Sequence, residues 1–191
     1  MTRALHLRNR QQTCPVDLRL LRRMTRCLLT ELVPTDSFLL GILLVGPTTV
    51  TRLNQTFLHH EGATDVITFD YAEPVGPASG SGRCRDGTPP GRGLASGAPI
   101  LHGEIVICPA LAMRQARRFR MSWQAELVRY TVHGVLHLLG YDDLDPRARR
   151  SMKRVEDRLV RQLSRRFPIR KLAKSPAVRP QPAIGKQPAP V

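Results

Sequence analysis

The sequence predicts an α/β (α+β) chain: a small mixed four-stranded sheet packed with about five helices. Two observations lead to that class. Short apolar or β-branched runs are interspersed with longer segments whose apolar residues recur at helical spacing, but the two kinds do not strictly alternate. A Gly-, Pro- and Ser-rich stretch at residues 73–99 then falls between two of the strand-like runs, so those two strands are joined without a helix.

Residues 4–8 alternate weakly and are expected as the first strand. Asp17 opens a segment with Leu18, Leu21, Met24, Leu28 and Leu32 at helical period, and Pro34 stops it. Residues 37–45 are an almost unbroken apolar run followed by Gly46 and Pro47, the pattern of a buried strand. Val50, Leu53 and Phe57 give residues 48–57 a helical period. Residues 64–71, TDVITFDY, are rich in β-branched and aromatic side chains and read as a strand. The segment 73–99 has almost no large apolar side chain to offset its ordering entropy, so it is expected as a flexible insertion.

The strand pattern resumes at 100–108, and Pro109 ends it. A basic helix follows, with Leu111, Ala112, Ala116 and Phe119 against Arg114, Arg117, Arg118 and Arg120. Residues 124–139 are the most strongly helical part of the chain, and Gly140 is placed to cap them. Asp145 and Pro146 start a last helix with Met152, Val155, Leu159 and Leu163 on one face. Residues 1–167 are therefore expected as one domain carrying the insertion, and 168–191 as a disordered basic tail.

Thirty lysines and arginines face fifteen acids, a formal charge of +15. So much positive charge calls for a polyanionic partner, of which nucleic acid is the commonest. Arginine used as a generic polar residue gives the same composition, so the charge alone does not decide. Cys14, Cys27, Cys84 and Cys108 form no CxxC pair and fit neither a zinc ribbon nor a disulfide framework. No secretory signal is expected at the N-terminus, and the longest apolar stretch, residues 38–46, is about half a bilayer span. The expectation is a soluble, cytoplasmic protein with no membrane partner.

The chemistry is concentrated in HGVLHLLGYDD, residues 133–143. His133 and His137 lie four apart on the central helix, about 6 Å along its axis, and project from one face. Both imidazoles can then reach one ion. Val132, Val135, Leu136, Leu138 and Leu139 surround them, and histidines on such an apolar helix need partners that one metal would supply. Gly140 can turn the chain so that Asp143 returns to the same ion, with Asp142 the alternative if the loop turns differently. Three protein ligands leave a fourth position for water, as a catalytic zinc site requires. The same spacing matches the metzincin pattern HExxHxxGxxH, but its general-base Glu is here Gly134, which disfavours a zinc protease of that type.

With glycine in that place, HGVLHLLGYDD resembles the HGxLHLxGYDH signature of the YbeY family of metal-dependent endoribonucleases. LNQTFLHHEGATDVITF (53–69) is similar to the family's LN…TDVLSF segment, and GEIVI (103–107) to its GDIVI strand. The resemblance covers roughly residues 4–166 and leaves out the insertion and the tail. It implies a zinc ion per chain and hydrolysis of single-stranded RNA. It also implies rRNA as substrate (16S 3′-end maturation and ribosome quality control), with the small ribosomal subunit and its proteins as partners. Two positions depart from the pattern: Asp143 replaces the final His, and Leu58, flanked by His59 and His60, stands where an arginine candidate for phosphate binding is usual. General-base candidates are Glu104 and Glu126, the latter seven residues before His133 and equally suited to orienting a histidine N–H. Arg114, Arg117, Arg118 and Arg120 are candidates for tracking an RNA backbone or for a merely solvated face. The departures also admit a ribosome-assembly factor in which the metal only staples the fold.

Overall fold

Seven-residue strands with every second side chain buried build the centre of the molecule. The computed structural model describes residues 3–33, 37–58, 64–72 and 101–174. In strand β2 (Phe38–Leu44) Phe38, Leu40, Ile42 and Leu44 are buried while Leu39, Gly41 and Leu43 face the other way. It pairs in parallel with β1 (Arg3–Asn9) on one side and β4 (Leu101–Ile107) on the other. Strand β3 (Val66–Asp70) runs antiparallel along the far edge of β4, giving the order β1-β2-β4-β3. Among the described residues the sheet is mixed, four-stranded and accompanied by five α-helices, as the sequence predicts.

Helix α1 (Leu18–Leu32) begins where the Asp17 carboxylate accepts from the Arg19 and Leu20 N–H groups, and it buries Leu21, Met24, Leu28 and Leu29. It shares the main core with α4 (Trp123–Leu138) and α5 (Pro146–Arg166), which begins at the Asp145 cap. Gly134 lets α4 lie tight on the sheet: a Cβ there would come within 2.7 Å of Ile105 Cγ2. A smaller core of Val45, Val50, Ile67, Val106, Cys108 and Leu111 lies on the opposite sheet face. Helix α2 (Pro47–Leu53) supplies Val50, and α3 (Pro109–Phe119) supplies Leu111.

Two expectations need adjustment. The second helix, expected over 48–57, is α-helical only to Leu53 and continues as a wider π-helical turn over Asn54–Leu58. The tail, expected to be disordered from 168, instead folds back through a 3-10 turn, Ile169–Leu172. Leu172 is fully buried, its carbonyl accepts from the Asp17 N–H at 2.8 Å, and the Lys174 N–H reaches the Pro15 carbonyl at 3.0 Å. Ile169 and Leu172 are the anchor that the Pro- and Lys-rich composition masks. The insertion at 73–99 and the tail beyond 174 lie outside the described residues, as do Cys84 and the Pro34 helix stop. Among the described residues Cys14, Cys27 and Cys108 are free thiols, and no helix is long and apolar enough to cross a membrane.

Candidate metal centre

Apolar surroundings and a single helical turn bring two imidazoles together. His133 and His137 lie on the last turns of α4 with their Nε2 atoms 3.0 Å apart. Each ring is held by its other nitrogen. The Glu156 carboxylate on α5 accepts the His133 Nδ1–H at 3.0 Å, and the Tyr141 carbonyl accepts the His137 Nδ1–H at 3.1 Å. With both Nδ1 atoms donating, both neutral rings turn a lone pair inward, and two lone pairs cannot bond each other. A cation between them resolves the conflict. Protonation is the poorer solution, because burial and then the neighbouring His133 ring push the His137 pKa down.

The end of α4 brings a carboxylate to the two rings. Gly140 takes a left-handed conformation (φ 90°), its N–H bonds the His137 carbonyl at 2.9 Å, and the Tyr141 N–H bonds the Leu136 carbonyl at 3.0 Å. That pair of bonds is a Schellman turn. It aims the Tyr141 carbonyl at His137 and starts the loop that returns Asp143. The two Asp143 oxygens lie 3.9 Å from the two Nε2 atoms, one oxygen to each ring. Ligand atoms of His133, His137 and Asp143 all fall within 4.8 Å of one another, so the group could hold a metal ion. The donor set suits zinc: tetrahedral coordination at ~2.0–2.1 Å separates neighbouring ligand atoms by ~3.3 Å. Asp142 is not part of that group; its carboxylate accepts from the Leu144 N–H at 3.0 Å.

The chain has a family. A protein-family model described as Endoribonuclease YbeY matches residues 6–164. The chain belongs to the YbeY family. Relatives named Endoribonuclease YbeY include one from Thermobifida fusca, 34% identical over 146 residues, covering 76% of this chain and 85% of that protein. Another, from Salinispora tropica, is 40% identical over 122 residues, or 63% of this chain and 71% of its own length. A protein from Thermotoga maritima solved in solution shares the fold at TM-score 0.58 and 21% identity, covering 92% of this chain and 99% of its own.

Not every residue singled out in the sequence reaches the YbeY centre. Glu104 does not. Its neighbours Gly103 and Ile105 face Leu138 and Gly134 of α4, so strand alternation puts Glu104 on the opposite sheet face. There it lines a separate cleft with Arg8, Tyr71 and His102. Glu126 does arrive, in a cleft of about 510 Å³ shared with Asp65, Arg129, Tyr130, His133 and Glu156. Burial pushes its carboxyl up, with Arg129 opposing and Glu156 adding. Gly134 faces Ile105 rather than the histidine pair, so an acid there would be buried in the core and not at the centre. Arg114, Arg117, Arg118 and Arg120 are all exposed. Leu58 closes the π-helical turn, and His59 and His60 lie outside the described residues.

Sequence patterns alone do not single out Glu156, Arg129 or Tyr130 of this cleft. Glu156, only 6% exposed, orients His133 and is itself held by Arg129, which also bonds Asp157 at 2.7 Å. Its signal lay in the last helix, where a carboxylate falls on the stripe of Met152, Leu159 and Leu163. Tyr130 is buried, with its hydroxyl beside the Asp65 carboxylate on the wall of the same cleft.

Proposed function

We propose that this chain is a zinc-dependent, single-strand-specific endoribonuclease. Its task is in cytoplasmic rRNA processing, at the 3′ end of 16S rRNA and in ribosome quality control, in contact with the small subunit. One observation carries the reading. Two imidazole lone pairs converge at 3.0 Å with a carboxylate astride both, an arrangement that a bound cation relieves better than a proton does. The names of the relatives supply the substrate class.

His133 and His137 would hold the ion through Nε2, and Asp143 would supply a carboxylate oxygen. When bound, zinc supplies Lewis acidity toward a phosphate oxygen and a coordinated water of lowered pKa. The chain does the rest. Glu156 keeps His133 in the tautomer that leaves Nε2 free, and the Tyr141 carbonyl does the same for His137. Glu126, on the wall of the same cleft with its pKa raised, can take a proton at its carboxylate or anchor Arg129, 3.9 Å away. Asp143 adds a negative charge that neutralises part of the metal charge, which favours looser selectivity among divalent ions than three histidines give.

The test combines elemental analysis of the purified chain with incubation on rRNA and on casein. Stoichiometric zinc, RNA cleavage abolished by chelation and no casein cleavage are expected. His137→Ala purified identically should lose both the ion and the cleavage. Cleavage that persists in His137→Ala, or bound metal with no RNA cleavage at all, would overturn the reading.

A further inference from the structure

Helix α3 ends in an oddity that the metal centre does not explain. Its buried side is Leu111, Ala112 and Ala116, yet its last residue, Phe119, is 57% exposed, and Met121 just beyond is 46% exposed. A lone exposed hydrophobic residue is ordinary. Two flanking one turn, both on the mouth of the cleft that holds His133, are not. Arg120 between them is the only non-glycine among the described residues with positive φ, at 54°. The backbone accepts a conformation it would otherwise avoid, and the result is that both side chains stand at the cleft.

The charges around this pair are ordered. Arg117, Arg118 and Arg120 are exposed beside Phe119 along the chain, and the Arg118 guanidinium sits 5.7 Å from the Phe119 ring centre. Asp65, Glu126 and Glu156 lie deeper in the cleft. The exposed arginines beside Phe119 therefore attract a polyanionic backbone, while the lining of the cleft itself carries both signs of charge, with Arg129 and Lys153 among its acids. What a free aromatic ring beside cations offers is a face for an unpaired base. We propose that Phe119 is a stacking platform for one unpaired ribonucleotide base, with Arg117, Arg118 and Arg120 holding the adjacent phosphates. Duplex RNA keeps its base faces occupied, so the platform selects single strands. The proposal rests on the endoribonuclease reading for its ligand, and it names the residues that read strandedness.

The experiment measures binding apart from cleavage. Fluorescence anisotropy of a labelled, unstructured oligoribonucleotide is recorded with the full-length, chelator-treated chain, and metal-dependent cleavage is followed separately. Phe119→Ala should weaken binding about ten- to a hundredfold, the loss of one base stack, and Phe119→Trp should restore it. With an oligonucleotide whose bases are removed, wild type and Phe119→Ala should bind alike. Thermal melts of the variants should match wild type, since the ring is exposed. Unchanged affinity in Phe119→Ala, an equal loss on the abasic strand, or no binding of unpaired RNA by the wild type each overturns the proposal. So does a wild-type dimer that falls apart on Phe119→Ala while RNA affinity holds, which would assign the patch to a second copy. Cleavage with Phe119-independent affinity sinks this inference and leaves the hydrolase reading standing. Phe119-dependent binding without cleavage does the reverse.

Discussion

Two helices of this YbeY-family chain end in the same turn for different purposes. At the end of α4 the Tyr141 N–H bonds the Leu136 carbonyl at 3.0 Å, and at the end of α3 the Met121 N–H bonds the Ala116 carbonyl at 2.9 Å. Each has a left-handed residue at the turn, but one is Gly140 and the other Arg120. The glycine turn points inward: it aims a carbonyl at His137 and returns Asp143 to both rings. The arginine turn points outward, setting Phe119 and Met121 at the cleft mouth. Where a misplaced atom would spoil a chelate, the residue without strain is used. Where only a surface is presented, a cation is kept despite a backbone cost of ~1–2 kcal/mol.

The largest effect should come from breaking the inward turn. A Cβ at Gly140 meets nothing within 4 Å, so the whole cost of Gly140→Val lies in its φ of 90°. That cost should be about 2 kcal/mol of stability in a denaturant titration. Because Tyr141 and Asp143 both hang on the turn, zinc affinity should fall further than the ~100-fold typical of losing an outer hydrogen-bonding partner. Wild-type affinity in Gly140→Val would show that the turn does not position the donors.

Next comes the partner that holds His133. Glu156→Gln should reduce zinc affinity ~10–100-fold in a competition titration with a chromogenic chelator. Burial alone would raise the Glu156 carboxyl, but hydrogen bonds from His133 and Arg129 outweigh it and hold the pKa below the ordinary range. A group lowered in this way stabilises the fold above its unfolded pKa, and the contribution is lost as pH falls through the folded value. Glu126 carries the opposite sign. Its raised pKa penalises the ionised form in the folded state at neutral pH, and the penalty vanishes as pH falls below the unfolded glutamate value. Urea titrations across acid pH should therefore show Glu156→Gln losing its deficit, and Glu126→Gln its advantage, as the pH drops. A pH-independent difference for both would contradict the assigned shifts.

The smallest effect concerns the outward turn. Arg120→Gly should gain ~0.5 kcal/mol, since relief of the left-handed strain exceeds the added freedom of the unfolded chain. Zinc affinity should be untouched, in contrast to Gly140→Val. A loss of metal in Arg120→Gly would mean the two turns are coupled through the cleft.

Much of this was legible in the residue order because its causes are local. The apolar period of residues 18–32, the caps at Asp17 and Asp145, and the i,i+4 histidines are properties of neighbours along the chain. So is Gly140, whose turn was expected from its place after the last apolar residue. The folded segment 168–172 escaped notice because composition averages over Ile169 and Leu172, whose burial depends on a groove built by other segments. The place of Glu104 is illegible for a related reason: a carboxylate's position on a strand is settled by which sheet face meets α4, and Gly103 and Ile105 claim that face.

By itself the sequence determined the elements, their order and the pair of imidazoles, since those follow from periods of two and 3.6 residues and from capping within a few positions. Only the tertiary structure decided that Glu156 rather than Glu126 orients His133, that Asp143 rather than Asp142 meets the rings, and that Phe119 stands at the mouth of the same cleft. Those choices join residues from different elements, and the distances between such residues are set by the packing of α3, α4 and α5 on the sheet, which no local pattern encodes.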